Sequence, residues 1–345
     1  MTLTNEKADQ ELVNSADEDL GGTTPIFLAS TDSLRRRFAP GSSQVSSALA
    51  KIERRTDMAN TIFVSGATGT VGSEVVKQLI KKGASVRAGV HSEQKGGILK
   101  KLGAEVVAVD FNDIKSIQTA LIGVEKAFSL SPLVPNLAEL GINFVKAAKL
   151  AGVKYIVRAS GLGADSPQAI TLGKWHREAE KAVETSGIPY TLVRPNSFMQ
   201  NYVNFAGYTI KTQNAFYFPH GNGTISLIDV RDIAAVVATV LTESGHEGKA
   251  YELTGSEAIS NYQIAKILSR LTGRAINYVD VPEDTARRSM KDMGMPESIV
   301  EALMELAAII KAGYASAVSP AVKQITGKQP ISFEQFAKDY LQFFK

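Results

Sequence analysis

TIFVSGATGTVG, residues 61–72, sets how the rest of the chain is read. Ile62, Phe63, Val64 and Ser65 form a short apolar run of the kind that makes a buried parallel strand. Glycines follow at positions 66, 69 and 72, and then Val75, Val76, Leu79 and Ile80 recur at helical intervals up to Lys81, Lys82 and Gly83. Strand, glycine turn and helix are the setting of a dinucleotide-binding fingerprint. Gly66 lets the chain turn sharply, Gly69 lets backbone approach a pyrophosphate, and Gly72 lets the helix pack closely on the strand. The helix start directs unpaired N–H groups at the phosphates. Gly66, Ala67, Thr68, Gly69, Thr70, Val71 and Gly72 are therefore the expected pyrophosphate cradle.

The same alternation continues downstream. Strands are expected at residues 85–90, 104–109, 126–130, 153–159 and 190–194, and helices at 93–102, 114–121, 136–151 and 172–187. Six strands alternating with helices predict an α/β fold, a Rossmann-type doubly wound parallel sheet with its ligand at the carboxyl ends of the strands. Residues 59–200 would be mostly nucleotide-binding core. Residues 201–345 would be mostly a small α/β cap that covers the cleft and selects the substrate, with strands at 216–219, 224–228, 249–253 and 276–281 and helices at 229–241, 260–272, 296–312 and 333–344.

At the second strand end an acidic residue would hold the adenosine ribose and favour NAD(H). The chain offers Arg87, His91, Ser92 and Lys95 there instead. Cations suit a 2′-phosphate, so NADP(H) is preferred and NAD(H) is the lesser alternative. Asp110 and Phe111 end the third strand and are placed to flank an adenine; Ser131 follows the fourth, where the nicotinamide half would pass. Ser160, just past the fifth strand, either bonds a ribose or substrate or caps its own turn.

The glycine pattern GATGTVG, the strand end VRAGVHS (86–92), the segment HREAEKAVETSGIPYTLVRPNSFMQN (176–201) and LIDVRDIA (227–234) together resemble the NmrA-like, atypical branch of the short-chain dehydrogenase/reductases, over about residues 60–344. The resemblance implies an NAD(P)(H)-binding protein of one of two kinds. One reduces quinones, azo or triarylmethane dyes or related conjugated compounds; the other binds dinucleotide to sense redox state and acts through partners. It also implies that the helix after the fifth strand should carry a Tyr-x-x-x-Lys pair. Here Leu172 stands at the tyrosine position and His176 at the lysine position. The usual proton donor is therefore absent. His176 is expected against the nicotinamide ribose as a candidate catalytic group, the other reading being a surface pair with Glu180 four residues on. Asn196 begins the segment that, by resemblance, forms the floor under the carboxamide. Phe198, Met199, Tyr202 and Phe205 read as core or lid packing, or as an aromatic platform for substrate.

Composition narrows the classes further. The 345 residues are 44% apolar with a net charge of +3, ordinary for a globular chain and giving no case for nucleic acid. There are no cysteines, and His91, His176, His220 and His246 lack ligand spacing, so neither a thiol nucleophile nor a metal site is expected. No apolar run reaches the ~20 residues of a membrane span, which points to a cytoplasmic protein. Residues 1–58 read as an irregular extension. It is acidic at first, then basic, with Phe27, Leu28, Phe38 and the arginines 35–37 between. Residues 20–57 are a candidate arm for docking a protein partner, against the alternative of a tail without function, and Met58 is a candidate alternative start.

Overall fold

The structure, a computed structural model, describes residues 61–345. The expected docking arm at 20–57 and the alternative start at Met58 lie outside the described residues. From Thr61 onward, β1 (Ile62–Val64), α1 (Thr70–Lys81), β2 (Val86–Val90), α2 (Gly97–Lys101), β3 (Glu105–Ala108), α3 (Ile114–Leu121), β4 (Lys126–Ser129), α4 (Leu137–Ala151), β5 (Tyr155–Ala159), α5 (Thr171–Glu184) and β6 (Tyr190–Pro195) alternate as the periodicity predicts.

With β9 (Lys249–Leu253) the sheet has seven strands in the order β3-β2-β1-β4-β5-β6-β9, all parallel, so the fold is the expected doubly wound one. The order reverses between β1 and β4, and a ligand crevice opens at such a switch point. Both faces are covered. Val75, Val76 and Leu79 of α1 share one apolar layer with Val236, Val237 and Val240 of α8 (Val230–Thr242). Phe63, Ile117, Phe144, Ile156 and Val183 form the layer beneath α3, α4 and α5 on the other face. Burial on both faces is why these strands are continuous apolar runs.

The seventh strand, β9 (Lys249–Leu253), was expected in the cap. Instead it pairs with β6 from Thr191↔Lys249 to Pro195↔Leu253 and closes the sheet. As an edge strand only its last residue, Leu253, is buried, so its sequence lacks the apolar run of the inner strands. Together with α8 it returns the chain to the core after β6.

The cap has a third apolar layer, which includes Met199, Tyr202, Phe216, Ile264, Phe333 and Phe336. It is built from α6 (Asn201–Asn204), α7 (Gly207–Gln213), β7 (Ala215–Phe218), β8 (Thr224–Ile225), β10 (Ile259–Ser260), α9 (Asn261–Thr272), β11 (Asn277–Asp280), α10 (Glu283–Asp292), α11 (Glu297–Lys311) and α13 (Phe333–Asp339), whereas α12 (Ala321–Thr326) packs Ala321 and Val322 into the layer of α1 and α8. Short sheets β7–β11 and β8–β10 stitch it. Helix α10 has no buried residue and so no apolar stripe by which its sequence would announce it. The terminal helix stops at Asp339, before a final short turn at Leu341–Phe343.

Candidate functional site

The glycine turn is built as a phosphate site requires. Gly66 takes φ +59°, a left-handed conformation that favours glycine. A Cβ on Gly72 would sit 2.2 Å from the Gly66 carbonyl oxygen, so the start of α1 lies directly against the turn. The N-cap, Gly69, is extended, and no side chain caps the helix. The first turn also holds no acidic residue. The leading amides of a 12-residue helix are thus left to an anion, with Thr68, Gly69 and Thr70 exposed beside them. Ala67, by contrast, is buried, and its N–H donates to Gly89 O at 3.1 Å, tying the turn to β2. Val71 and Gly72 are buried under the helix start.

At the ribose corner the structure separates the expected residues. Arg87 is the second residue of β2 and lies toward its amino end, roughly 13 Å of strand from His91. Its Nε donates to Glu105 at 2.8 Å, and its Nη1 donates to the carbonyls of Ala120 and Ile122 at 2.9 and 2.8 Å. Nε and Nη1 of Arg87 therefore close the carboxyl end of α3, away from the strand end where a 2′-phosphate was expected. Its position within a five-residue strand was the signal against it. A surface depression of about 530 Å³ beside Arg87, Glu105 and Thr119 belongs to this same remote edge. His91, Ser92 and Lys95 do follow the strand's carboxyl end, with His91 and Lys95 exposed. Lys95 makes no ion pair among the described residues. Asp110 accepts from the Asn112 N–H at 2.9 Å and from its side-chain amide at 3.2 Å. Those two bonds, with a small contribution from His91, hold its carboxyl below the usual range. Phe111 beside it is half-buried.

On the nicotinamide side the β4 end is held from two directions. Ser65, immediately before the glycine turn, exchanges hydrogen bonds with the Leu130 backbone. From the other side Arg158 of β5 donates Nη1 to Ser131 Oγ at 2.9 Å and to Ser129 Oγ at 3.2 Å. Arg158 is fully buried, and its Nε and Nη2 have no partner. Burial lowers its pKa to about 10, which leaves it charged at neutral pH. Sequence reading missed this residue, although a cation inside Tyr-Ile-Val-Arg-Ala, a strand buried throughout, was a visible anomaly.

His176 on α5 packs over Gly161, where a Cβ would come within 3.2 Å of its Cδ2. Its Nδ1 is enclosed without a partner. Burial and the Arg158 charge push its pKa down to about 3. It is a neutral imidazole, unable to serve as an imidazolium acid near neutral pH. The expected surface pairing with Glu180 does not form, because both oxygens of the buried Glu180 carboxylate are taken by other groups. Arg194 binds them at 2.8 and 2.9 Å, and Arg177 binds Oε2 at 2.9 Å. Burial alone would raise that carboxyl; Arg194, the adjacent Ser160 hydroxyl and Arg177 bring it below the usual value. Ser160 is buried, on the same face of its strand as Arg158.

Asn196 is engaged within the protein. Its Nδ2 donates to Ser226 Oγ at 2.9 Å and to Ala315 O at 3.0 Å, while its Oδ1 accepts from Ser197 N at 2.8 Å. It braces the end of β6 to the cap. Leu172, at the tyrosine position, is half-buried, and Lys174 is exposed. Among the apolar residues after β6, Met199 and Tyr202 are core, whereas Phe205 is 66% exposed.

Residues 58–337 of the chain match the model of the NmrA-like family. The chain belongs to the NmrA-like family. Among its relatives, the NAD(P)H azoreductase of Xenophilus azovorans is 38% identical over 283 residues, which are 82% of this chain and 99% of the relative. Quinone oxidoreductase 2 of Escherichia coli is 34% identical over 71% of this chain and 86% of its own. The structure of Citrobacter sp. triphenylmethane reductase complexed with NADP(H) superposes with a TM-score of 0.72 at 31% identity, covering 81% of this chain and 99% of that one.

Proposed function

We propose that this NmrA-like protein is an NADPH-dependent reductase of conjugated acceptors, quinones and azo compounds foremost. The observation that carries the reading is the uncapped start of α1 behind Gly66, Gly69 and Gly72. The reductase names of the azoreductase and quinone oxidoreductase relatives support the acceptor class. The 66–72 turn holds the pyrophosphate; His91, Ser92 and Lys95 receive the 2′-phosphate. NADPH, when bound, supplies the hydride.

The chain's own part is placement. Ser65 and Arg158 fix the segment Ser129–Leu130–Ser131 from opposite sides, and Gly161 and His176 wall the region next to Ser160. A quinone reduced here would need a proton besides the hydride; Leu172 has none to give and His176 is no imidazolium, so the chain would leave that proton to water. An acceptor that needs no strong acid suits such a site. A cytoplasmic setting goes with that reading, since reduced coenzyme has to be at hand. The second reading, an idle NADP(H) sensor docking through residues 20–57, draws on the same missing acid.

Steady-state oxidation of NADPH against a panel of quinones, azo dyes and triarylmethane dyes tests the proposal. Turnover with at least one class, with NADPH preferred to NADH, is expected. Tight NADPH binding without oxidation by any acceptor would replace it with the sensor reading.

A further inference from the structure

Arg158 is a fully buried guanidinium that makes no hydrogen bond to a carboxylate among the described residues. The carboxylates near α5 that bond arginines bond others, and the buried Glu180 acts on the Arg158 charge without a hydrogen bond to it. Glu180 is held by Arg194 and Arg177, Glu184 by Arg177, and Asp165 by Arg194. The hydrogen bonds of Arg158 all go to Ser129 and Ser131, the segment at the β4 end, while the far side of its guanidinium packs against Gly141 of α4. Neutral acceptors of this kind could be served by a neutral amide, at far lower desolvation cost than a buried ion. Anchoring the segment therefore does not by itself account for a full positive charge here.

Position supplies the reason. The β4 end borders the switch point where the order reverses, and Ser160, two residues beyond Arg158 on the same face, is buried beside it. Reduced nicotinamide is neutral, and the oxidised ring carries a positive charge. A fixed cation in a water-poor site repels the second and leaves the first alone.

Resting on the NADPH-site reading above, we propose that Arg158 is a specificity-determining residue that makes the site prefer reduced over oxidised coenzyme, through its unpaired buried charge next to Ser131. After hydride transfer the same charge favours release of the oxidised product. Arg158 is buried behind the Ser129–Ser131 segment that it bonds, so its effect on the coenzyme is electrostatic.

The test is direct titration of NADPH and NADP+ by calorimetry, on the full chain and on Arg158→Gln and Arg158→Lys, with thermal melts to verify folding. The wild type should bind NADPH tighter, and Arg158→Gln should shrink the NADP+ to NADPH ratio of Kd values by about fivefold or more, mainly by tightening NADP+. Arg158→Lys should keep most of the wild-type ratio. A purely structural role would weaken both coenzymes alike. A folded Arg158→Gln with an unchanged ratio overturns the inference, as does a wild type that binds NADP+ as tightly as NADPH. Should Arg158→Gln fail to fold, the wild-type ratio and its retention in Arg158→Lys decide. A wild type that binds neither coenzyme instead removes the function proposed above.

Discussion

Ser65 and Leu130 hold each other by a reciprocal pair of hydrogen bonds: Ser65 Oγ donates to Leu130 O at 3.0 Å and accepts from Leu130 N at 2.6 Å. One side chain thereby joins the glycine turn on β1 to the nicotinamide-side segment on β4. Ser65→Ala leaves both Leu130 backbone groups without that partner in a half-buried place. We expect a loss of about 1–3 kcal/mol in denaturant unfolding. NADPH affinity should fall with it, since the two halves of the site are no longer registered. Unfolding curves and a fluorescence titration on the same samples check both.

Gly69 and Gly72 should fail differently when enlarged. A Cβ at Gly72 meets the Gly66 carbonyl at 2.2 Å, backbone against backbone, so Gly72→Ala must displace the turn or the helix. It should cost about 1–3 kcal/mol or more and abolish coenzyme binding. At Gly69 the nearest atom is the same oxygen at 3.2 Å, and the residue is exposed. Gly69→Val should therefore fold nearly as well as wild type yet lose NADPH binding, because its side chain stands where phosphate oxygens approach. Thermal melts beside calorimetric titrations separate the two cases.

Coenzyme choice should depend on Lys95 and His91 and not on Arg87. Arg87→Met removes the Glu105 ion pair and the bonds to the Ala120 and Ile122 carbonyls, so stability should drop by about 1–2 kcal/mol. The ratio of NADH to NADPH Kd should stay as it was. Lys95→Ala should lower that ratio several-fold with little change in stability. A preference that collapses in Arg87→Met and survives in Lys95→Ala would reverse the assignment.

Acid should unfold the protein through its histidines. His176 and His220 have pKa values depressed to about 3 and about 4 by burial, against about 6.5 in an unfolded chain. The folded state binds fewer protons there, so their contribution is complete above about pH 6.5 and is lost as pH falls toward 4 and 3. The slope should approach about 1.4 kcal/mol per pH unit for each histidine. His220, stacked on Phe218 at 5.2 Å and bonded to Asn261 at 3.1 Å, cannot simply turn outward. His220→Gln should flatten the acid limb by about one proton, measured by urea unfolding across pH.

Asp232 works in the opposite sense. Burial raises it to about 6, even though it accepts the Ile331 N–H at 2.8 Å. Its folded pKa exceeds the unfolded one, so its contribution is present below about pH 4 and fades as pH rises through 6. Asp232→Asn keeps an acceptor for Ile331 and removes the buried charge. It should stabilise the fold above pH 7 by of order 2 kcal/mol, with the gain vanishing near pH 4.

Residue order alone carried the β1–glycine turn–α1 unit, the repeating strand and helix pattern to Pro195, the missing tyrosine at Leu172 and the family resemblance. These rest on local sterics and on periodicities within one element, which a short window of sequence contains. Folding in three dimensions settled the rest. It sent Lys249–Leu253 to the sheet edge, gave the Arg87 guanidinium to the end of α3, and used up Asn196 between β6 and the cap. It also buried Arg158 while its neighbouring acids were engaged by Arg177 and Arg194. Each of these outcomes depends on partners many positions away, and the free energy of placing a charge or an amide depends on which partners arrive first in space, something no local pattern encodes.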